Sequence, residues 1–115
     1  MKSESRIQQE CVKWYRNTYC LTHHNPRGII FSVPNEGRNQ TEQLMKIQTG
    51  LMSGVSDLIV ITPLGRLLFI ECKDDKGRQS DKQKDFQHQV TQHGYNYHLI
   101  RSLDEFQEII AKSLL

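Results

Sequence analysis

The sequence predicts an α/β domain built on a central mixed β-sheet flanked by helices, and three observations carry that expectation. Two dense apolar runs, Leu58-Ile59-Val60-Ile61 and Leu67-Leu68-Phe69-Ile70, lie on either side of Pro63-Leu64-Gly65. Continuous apolar runs of this length belong to strands covered on both faces, so the pair is expected at the centre of a sheet as an antiparallel hairpin. Helix-period segments precede and follow them, giving the order helix, strand, helix, hairpin, helix, strand, helix.

Each element has its own signal. Residues 4–19 place Ile7, Cys11, Trp14, Tyr15 and Thr18 on one helical stripe. At about 100° per residue, Glu4 and Gln8 lie close to that stripe and Glu10 about a quarter turn away. Glu4 is therefore the acid expected to point inward, and an acid on a buried stripe needs a reason. Residues 28–33 form a strand stopped by Pro34, and 35–38 a loop. Residues 41–52 predict a helix with Leu44, Ile47, Gln48 and Leu51 on one side, ended by Gly50 and Gly54. After a charged loop from Asp74 to Gln79, Ser80 and Gln83 fit a capping box that starts a helix running to His93, with Gly94 as terminator. Residues 95–101 predict a strand. Ser102 and Glu105 fit a second capping box, before a last helix carrying Phe106, Ile109, Ile110 and Leu114.

Size and composition set bounds. One domain spanning residues 1–115 is the expectation for a chain of this length. Charged residues are 24% and hydrophobic ones 37%, which excludes a disordered chain, and no apolar run is long enough to span a membrane. The formal charge of +2 permits a nucleic-acid partner without arguing for one. Its distribution says more: Lys73, Lys76, Arg78, Lys82 and Lys84 fall within twelve residues. Cys11, Cys20 and Cys72 are odd in number and match no zinc spacing, so reduced thiols in a cytoplasm are expected. The start, Met1-Lys2-Ser3-Glu4, has no apolar signal segment.

The chemistry-bearing pattern is Asp57, thirteen residues, then Glu71-Cys72-Lys73. Alternation puts Glu71 and Lys73 on one strand face and Cys72 on the other. With three residues in the turn, Ile61 pairs with Leu67 and Asp57 falls opposite Glu71. A two-residue turn would put Asp57 opposite Cys72, on the wrong face. Two adjacent ionised carboxylates repel, and a divalent cation removes the repulsion. Mg²⁺ favours such oxygen ligands, and a neighbouring lysine can stabilise charge developing on a phosphate. Acid, acid, lysine and metal suffice for phosphodiester hydrolysis, and an inward Glu4 could complete the metal shell. The basic residues Lys76, Arg78 and Lys82, with Arg38 in the earlier loop, are candidates for gripping DNA phosphates.

The segment Gly50-Leu51-Met52-Ser53-Gly54-Val55-Ser56-Asp57-Leu58 resembles the glycine-rich signature before the aspartate in the VRR-NUC family of the PD-(D/E)XK nuclease superfamily. Ile70-Glu71-Cys72-Lys73 resembles that family's ExK strand, and Gly77-Arg78-Gln79-Ser80 with Gln83 its following element. Glu4 with Ile7-Gln8 is similar to its opening helix, Val33-Pro34-Asn35 with Arg38 to its loop, and Arg101-Ser102 to its close. Ser56 stands where the family usually has proline. The resemblance implies a restriction-endonuclease-like fold and an endonuclease using Mg²⁺ or Mn²⁺ on DNA. It implies metal ligation by Asp57, Glu71, Glu4 and the Cys72 backbone carbonyl, catalysis assisted by Lys73, and Gln83 near the site. It further implies a homodimer acting on branched or junction DNA, in a bacterial cell or a phage-infected host. The alternative is a catalytically silent DNA-binding module of the same fold.

Overall fold

The computed structural model describes residues 2–34 and 39–115. Eight elements follow in order: α1 (Glu4–Tyr19), β1 (Ile29–Ser32), α2 (Gln40–Gln48), β2 (Leu58–Ile61), β3 (Leu67–Cys72), α3 (Asp81–Gln92), β4 (Asn96–Ile100) and α4 (Leu103–Ser113). The strands form one mixed sheet in the order β1-β2-β3-β4. β2 pairs antiparallel with both β1 and β3, and β4 is parallel to β3. This is the α/β architecture and element order expected, with the two apolar runs as central strands.

The hairpin closes on three residues. Thr62 donates its N–H to the Arg66 carbonyl at 2.9 Å, flanking Pro63-Leu64-Gly65. Ile61 pairs with Leu67 and Leu58 with Ile70, so continuing the register sets Asp57 opposite Glu71.

One sheet face is sealed. Ile30, Leu58, Val60, Leu68, Ile70 and Cys72 are buried there under Ile7, Cys11 and Tyr15 of α1 and under Phe106 and Ile110 of α4. Tyr15 stays satisfied inside because its hydroxyl donates to the Ile61 carbonyl at 2.9 Å. The other face is only partly covered, contrary to expectation. Phe86 of α3 packs edge-on against Phe69, but Ile59 and Ile61 remain half-buried, and Ile29 and Phe31 of β1 are 50% and 45% exposed. The reason is that α3 lies toward β4, and the helix that would cover the rest does not. α2 ends at Gln48 rather than residue 52, because Gly50 adopts φ +113° and turns the chain. No residue of α2 is buried.

Two capping expectations divide. Ser80 and Gln83 form the full reciprocal box. At α4, Ser102 accepts from the Glu105 N–H, but the Glu105 carboxylate reaches past it to the Arg101 N–H at 3.0 Å, so only half the expected box forms.

Candidate active site

The site lies at one end of the sheet, where β2 begins and β3 ends. Val33 donates its N–H to the Asp57 carbonyl at 3.1 Å, tying the chain ahead of β2 to the chain after β1. Ser56 is buried, and its hydroxyl donates to the Leu58 carbonyl at 3.1 Å. This side-chain bond braces the turn into β2. The Asp57 carboxylate accepts the Cys72 N–H at 2.8 Å, which fixes it at the end of β3. Cys72 itself points into the sealed core beside Cys11.

Glu71 is the most unusual group. It is 1% exposed, yet it faces the Asp57 carboxylate across the hairpin. Burial, followed by the hydrogen bond and charge of Asp57, pushes its carboxyl up to about 9, and the Lys73 charge and the Tyr97 hydroxyl offset only part of this. Near neutral pH it therefore holds a proton. Tyr97 of β4, buried as well, donates its hydroxyl to Glu71 Oε2 at 3.2 Å. Gln79 donates Nε2 to the Tyr97 oxygen at 3.2 Å and to Gln87 Oε1 at 2.9 Å.

Lys73 is also buried at 8% exposure, with its ammonium 3.9 Å from Glu4 Oε1. Glu4 lies on the side of the site but is not the buried acid expected: its side chain is 46% exposed, against 20% for Glu10, and its contact is with Lys73. Among the described residues, no group of three or more Asp, Glu, His or Cys side chains converges. A Cβ at Gly77 would come within about 3.0 Å of Glu4 Oε1, 3.1 Å of Asp74 Oδ1 and 3.3 Å of Lys73 Cδ, so the loop after β3 passes close to this cluster and a larger residue would make these side chains shift. Arg101 holds the same loop by donating to the carbonyls of Asp74 and Gly77.

Gln83 spends its side-chain oxygen on the Ser80 N–H at 2.8 Å, so its observed role is the cap of α3. Lys76 and Arg78 are exposed on the loop between β3 and α3, and Lys82 is exposed at the start of α3. Arg38 lies outside the described residues. Sequence reasoning missed Tyr97 and gave Gln79 and Arg101 no role in the site. The signal for Tyr97 was its place in β4, two residues before Leu99, which the parallel register sets beside Glu71. That register comes from a crossover through α3 and is not written locally.

The aspartate, glutamate and buried lysine at one end of this α/β sheet occupy the place that a nuclease-type domain, the class indicated by the family match over residues 2–104, would use. The VRR-NUC domain model matches residues 2–104. The chain belongs to the VRR-NUC domain family. Two solved structures share the fold. One, described as a VRR_NUC domain, is 20% identical with a TM-score of 0.65, covering 96% of this chain and 97% of that one. The other, described as a VRR_NUC domain protein, is 19% identical with a TM-score of 0.76, covering 97% and 88%. No curated protein matches the sequence.

Proposed function

We propose that the protein is an endonuclease that hydrolyses phosphodiester bonds in DNA with Mg²⁺ or Mn²⁺ held by Asp57 and Glu71. The observation that carries this is geometric: the register sets the carboxylate of Asp57 opposite that of buried Glu71, with buried Lys73 beside them at the end of β3. Such a donor set fits a divalent cation, since Mg²⁺ commonly takes one or two carboxylates and fills its shell with water and phosphate oxygens. The Cys72 carbonyl is a further candidate ligand. When bound, the cation supplies Lewis-acid activation of water and of the phosphoryl oxygen.

The chain's own residues do the rest. Asp57 is held by the Cys72 N–H, so its free oxygen keeps a fixed direction. Glu71 must give up its proton for the site to load. Lys73 places a desolvated positive charge beside the pair, suited to the charge that develops on a phosphate during displacement. Glu4 steadies Lys73 and so acts on the chemistry through it. Lys76, Arg78 and Lys82 are exposed beside this end and offer contacts to backbone phosphates, which favours selection by DNA shape over base sequence.

The finer reading is a two-fold homodimer acting on branched DNA, with one site per arm pair. It is supported by the small surface available for reading bases and by the half-exposed Ile29 and Phe31 on the edge strand β1. Labelled duplex, flap and four-way-junction DNA, incubated with Mg²⁺, Mn²⁺ or EDTA, test the activity. Cutting should require metal, fall a hundredfold or more in Glu71→Ala and Lys73→Ala by the size of comparable charge-stabilising losses, and be fastest on the junction. Tight binding without cutting in any metal would replace this reading by the silent DNA-binding module. Light scattering at micromolar concentration tests the dimer, and a monomer there would refute it.

A further inference from the structure

We infer that Tyr97 and Gln79 are positioning residues that aim the Glu71 carboxylate through a hydrogen-bond chain of fixed polarity. The inference rests on the metal-binding reading of Glu71 given above. The chain runs across three elements. Gln87 of α3 presents its side-chain oxygen to Gln79 Nε2 at 2.9 Å, which turns the Gln79 amide nitrogen inward. The same nitrogen donates to the Tyr97 oxygen at 3.2 Å. With a lone pair of that oxygen occupied, the hydroxyl hydrogen is directed at Glu71 Oε2, 3.2 Å away. The Tyr97 ring is buried, and Phe86 packs against it at a 6.2 Å centroid distance and 62°.

A buried phenol needs some partner, and any carbonyl would satisfy it. Here the partner is one oxygen of a buried carboxylate, and the donor behind it is fixed from α3. The consequence is specific. Oε2 has a lone pair committed to Tyr97, which restrains rotation of the carboxyl group beside Asp57. Partners that orient a ligating carboxylate in this way are worth about 10–100-fold in metal affinity or activity. Neither residue touches substrate or metal in this scheme; both act through Glu71.

The test compares wild type, Tyr97→Phe, Gln79→Met and the double variant. Mn²⁺ binding is read by electron paramagnetic resonance of the free ion, and cutting is followed against Mn²⁺ concentration. Tyr97→Phe should weaken Mn²⁺ binding about tenfold. Gln79→Met should weaken it by a smaller factor, and the double variant should match Tyr97→Phe because both changes break one chain. The loss should appear in the Mn²⁺ concentration needed for half-maximal cutting. A packing role for either side chain would instead lower thermal stability and leave Mn²⁺ affinity alone. Wild-type affinity in Tyr97→Phe, alongside metal-dependent cutting that Glu71→Ala abolishes, overturns the inference and leaves the nuclease reading standing. So does a Gln79→Met loss that persists in full in the Tyr97→Phe background. No Mn²⁺ binding by wild type overturns both.

Discussion

Helices α2 and α3 begin alike and end up in different situations. Each has an N-cap side chain that accepts a backbone N–H, Asn39 from Glu42 and Ser80 from Gln83, and each carries an acid in its first turn. α3 then buries Phe86 against Phe69 and Tyr97 and anchors Gln79 through Gln87. α2 buries nothing, and its Leu44, Met45 and Ile47 stand 58%, 62% and 49% exposed. Local signals thus start both helices, but only aromatic contact with the sheet makes one of them part of the support behind Glu71. Helical stability in proteins comes mostly from such packing. The α3 side should therefore control stability and metal binding, while α2 should be nearly silent in both.

The largest expected effect on stability is the pH dependence set by Glu71. Its folded-state value, about 9, lies above the ordinary 4.5, so the folded chain holds a proton that the unfolded chain releases. Stability of the metal-free protein should be greatest below pH 4.5 as far as this group is concerned, and should fall as pH rises toward 9. The slope is at most about 1.4 kcal/mol per pH unit. Glu71→Gln should flatten it, as thermal melts between pH 5 and 9 would show. If Glu71 holds a cation as proposed, the cation must displace this proton, and Mg²⁺ affinity should rise over the same window. A wild-type slope equal to that of Glu71→Gln would remove Glu71 as the buried acid.

Next in size is the direct contrast between the helices. Phe86→Ala should cost about 3–5 kcal/mol by the usual range for a buried aromatic. Leu44→Ala and Ile47→Ala should stay within about 0.5 kcal/mol, as exposed positions do. Urea titrations of the three variants measure this. A Leu44 loss comparable to that of Phe86 would mean that α2 is packed in solution.

Much of this was legible in the residues, for reasons that also explain the rest. The hairpin register followed from a three-residue turn and from the period-two alternation, so the meeting of Asp57 and Glu71 could be deduced in advance. Helical geometry set Glu4 on the side of Lys73, 3.9 Å away, but not its burial: its side chain is 46% exposed against 20% for Glu10, which pairs with Lys2. The open sheet face did not follow. Ile59 and Ile61 are as apolar as their buried neighbours, and nothing in the run says that α2 stops four residues short of its pattern. Tyr97 was equally hidden, because a parallel pairing joins residues through a long crossover and leaves no local trace.

A smaller loss separates the two sides through glycine. Gly54 has φ +84°, and a Cβ there would run into the Lys82 carbonyl at the start of α3. Gly54→Ala should cost about 1–3 kcal/mol through the left-handed backbone, with added displacement of α3. Gly50, at φ +113° beside α2, has open space around its missing Cβ. Gly50→Ala carries the backbone strain without the collision, so it should cost less. Chemical denaturation of the pair measures the difference, and equal losses would mean that α3 yields freely at its first turn.

The smallest contrast concerns the caps. Removing a Ser or Asn cap typically costs about 1 kcal/mol. Ser80→Ala should show nearly that full amount in global unfolding, because α3 cannot fray without releasing Gln83, the loop carrying Gln79 and the support of Tyr97. Asn39→Ala removes an equivalent bond to the Glu42 N–H. Its effect should be confined to α2, since α2 can unfold without uncovering buried surface. Amide hydrogen exchange distinguishes the two. Asn39→Ala should speed exchange only within residues 40–48, whereas Ser80→Ala should speed it across α3 and β4. Global destabilisation by Asn39→Ala would show that α2 is coupled to the sheet after all, and the division between a supporting helix and a peripheral one would fall with it.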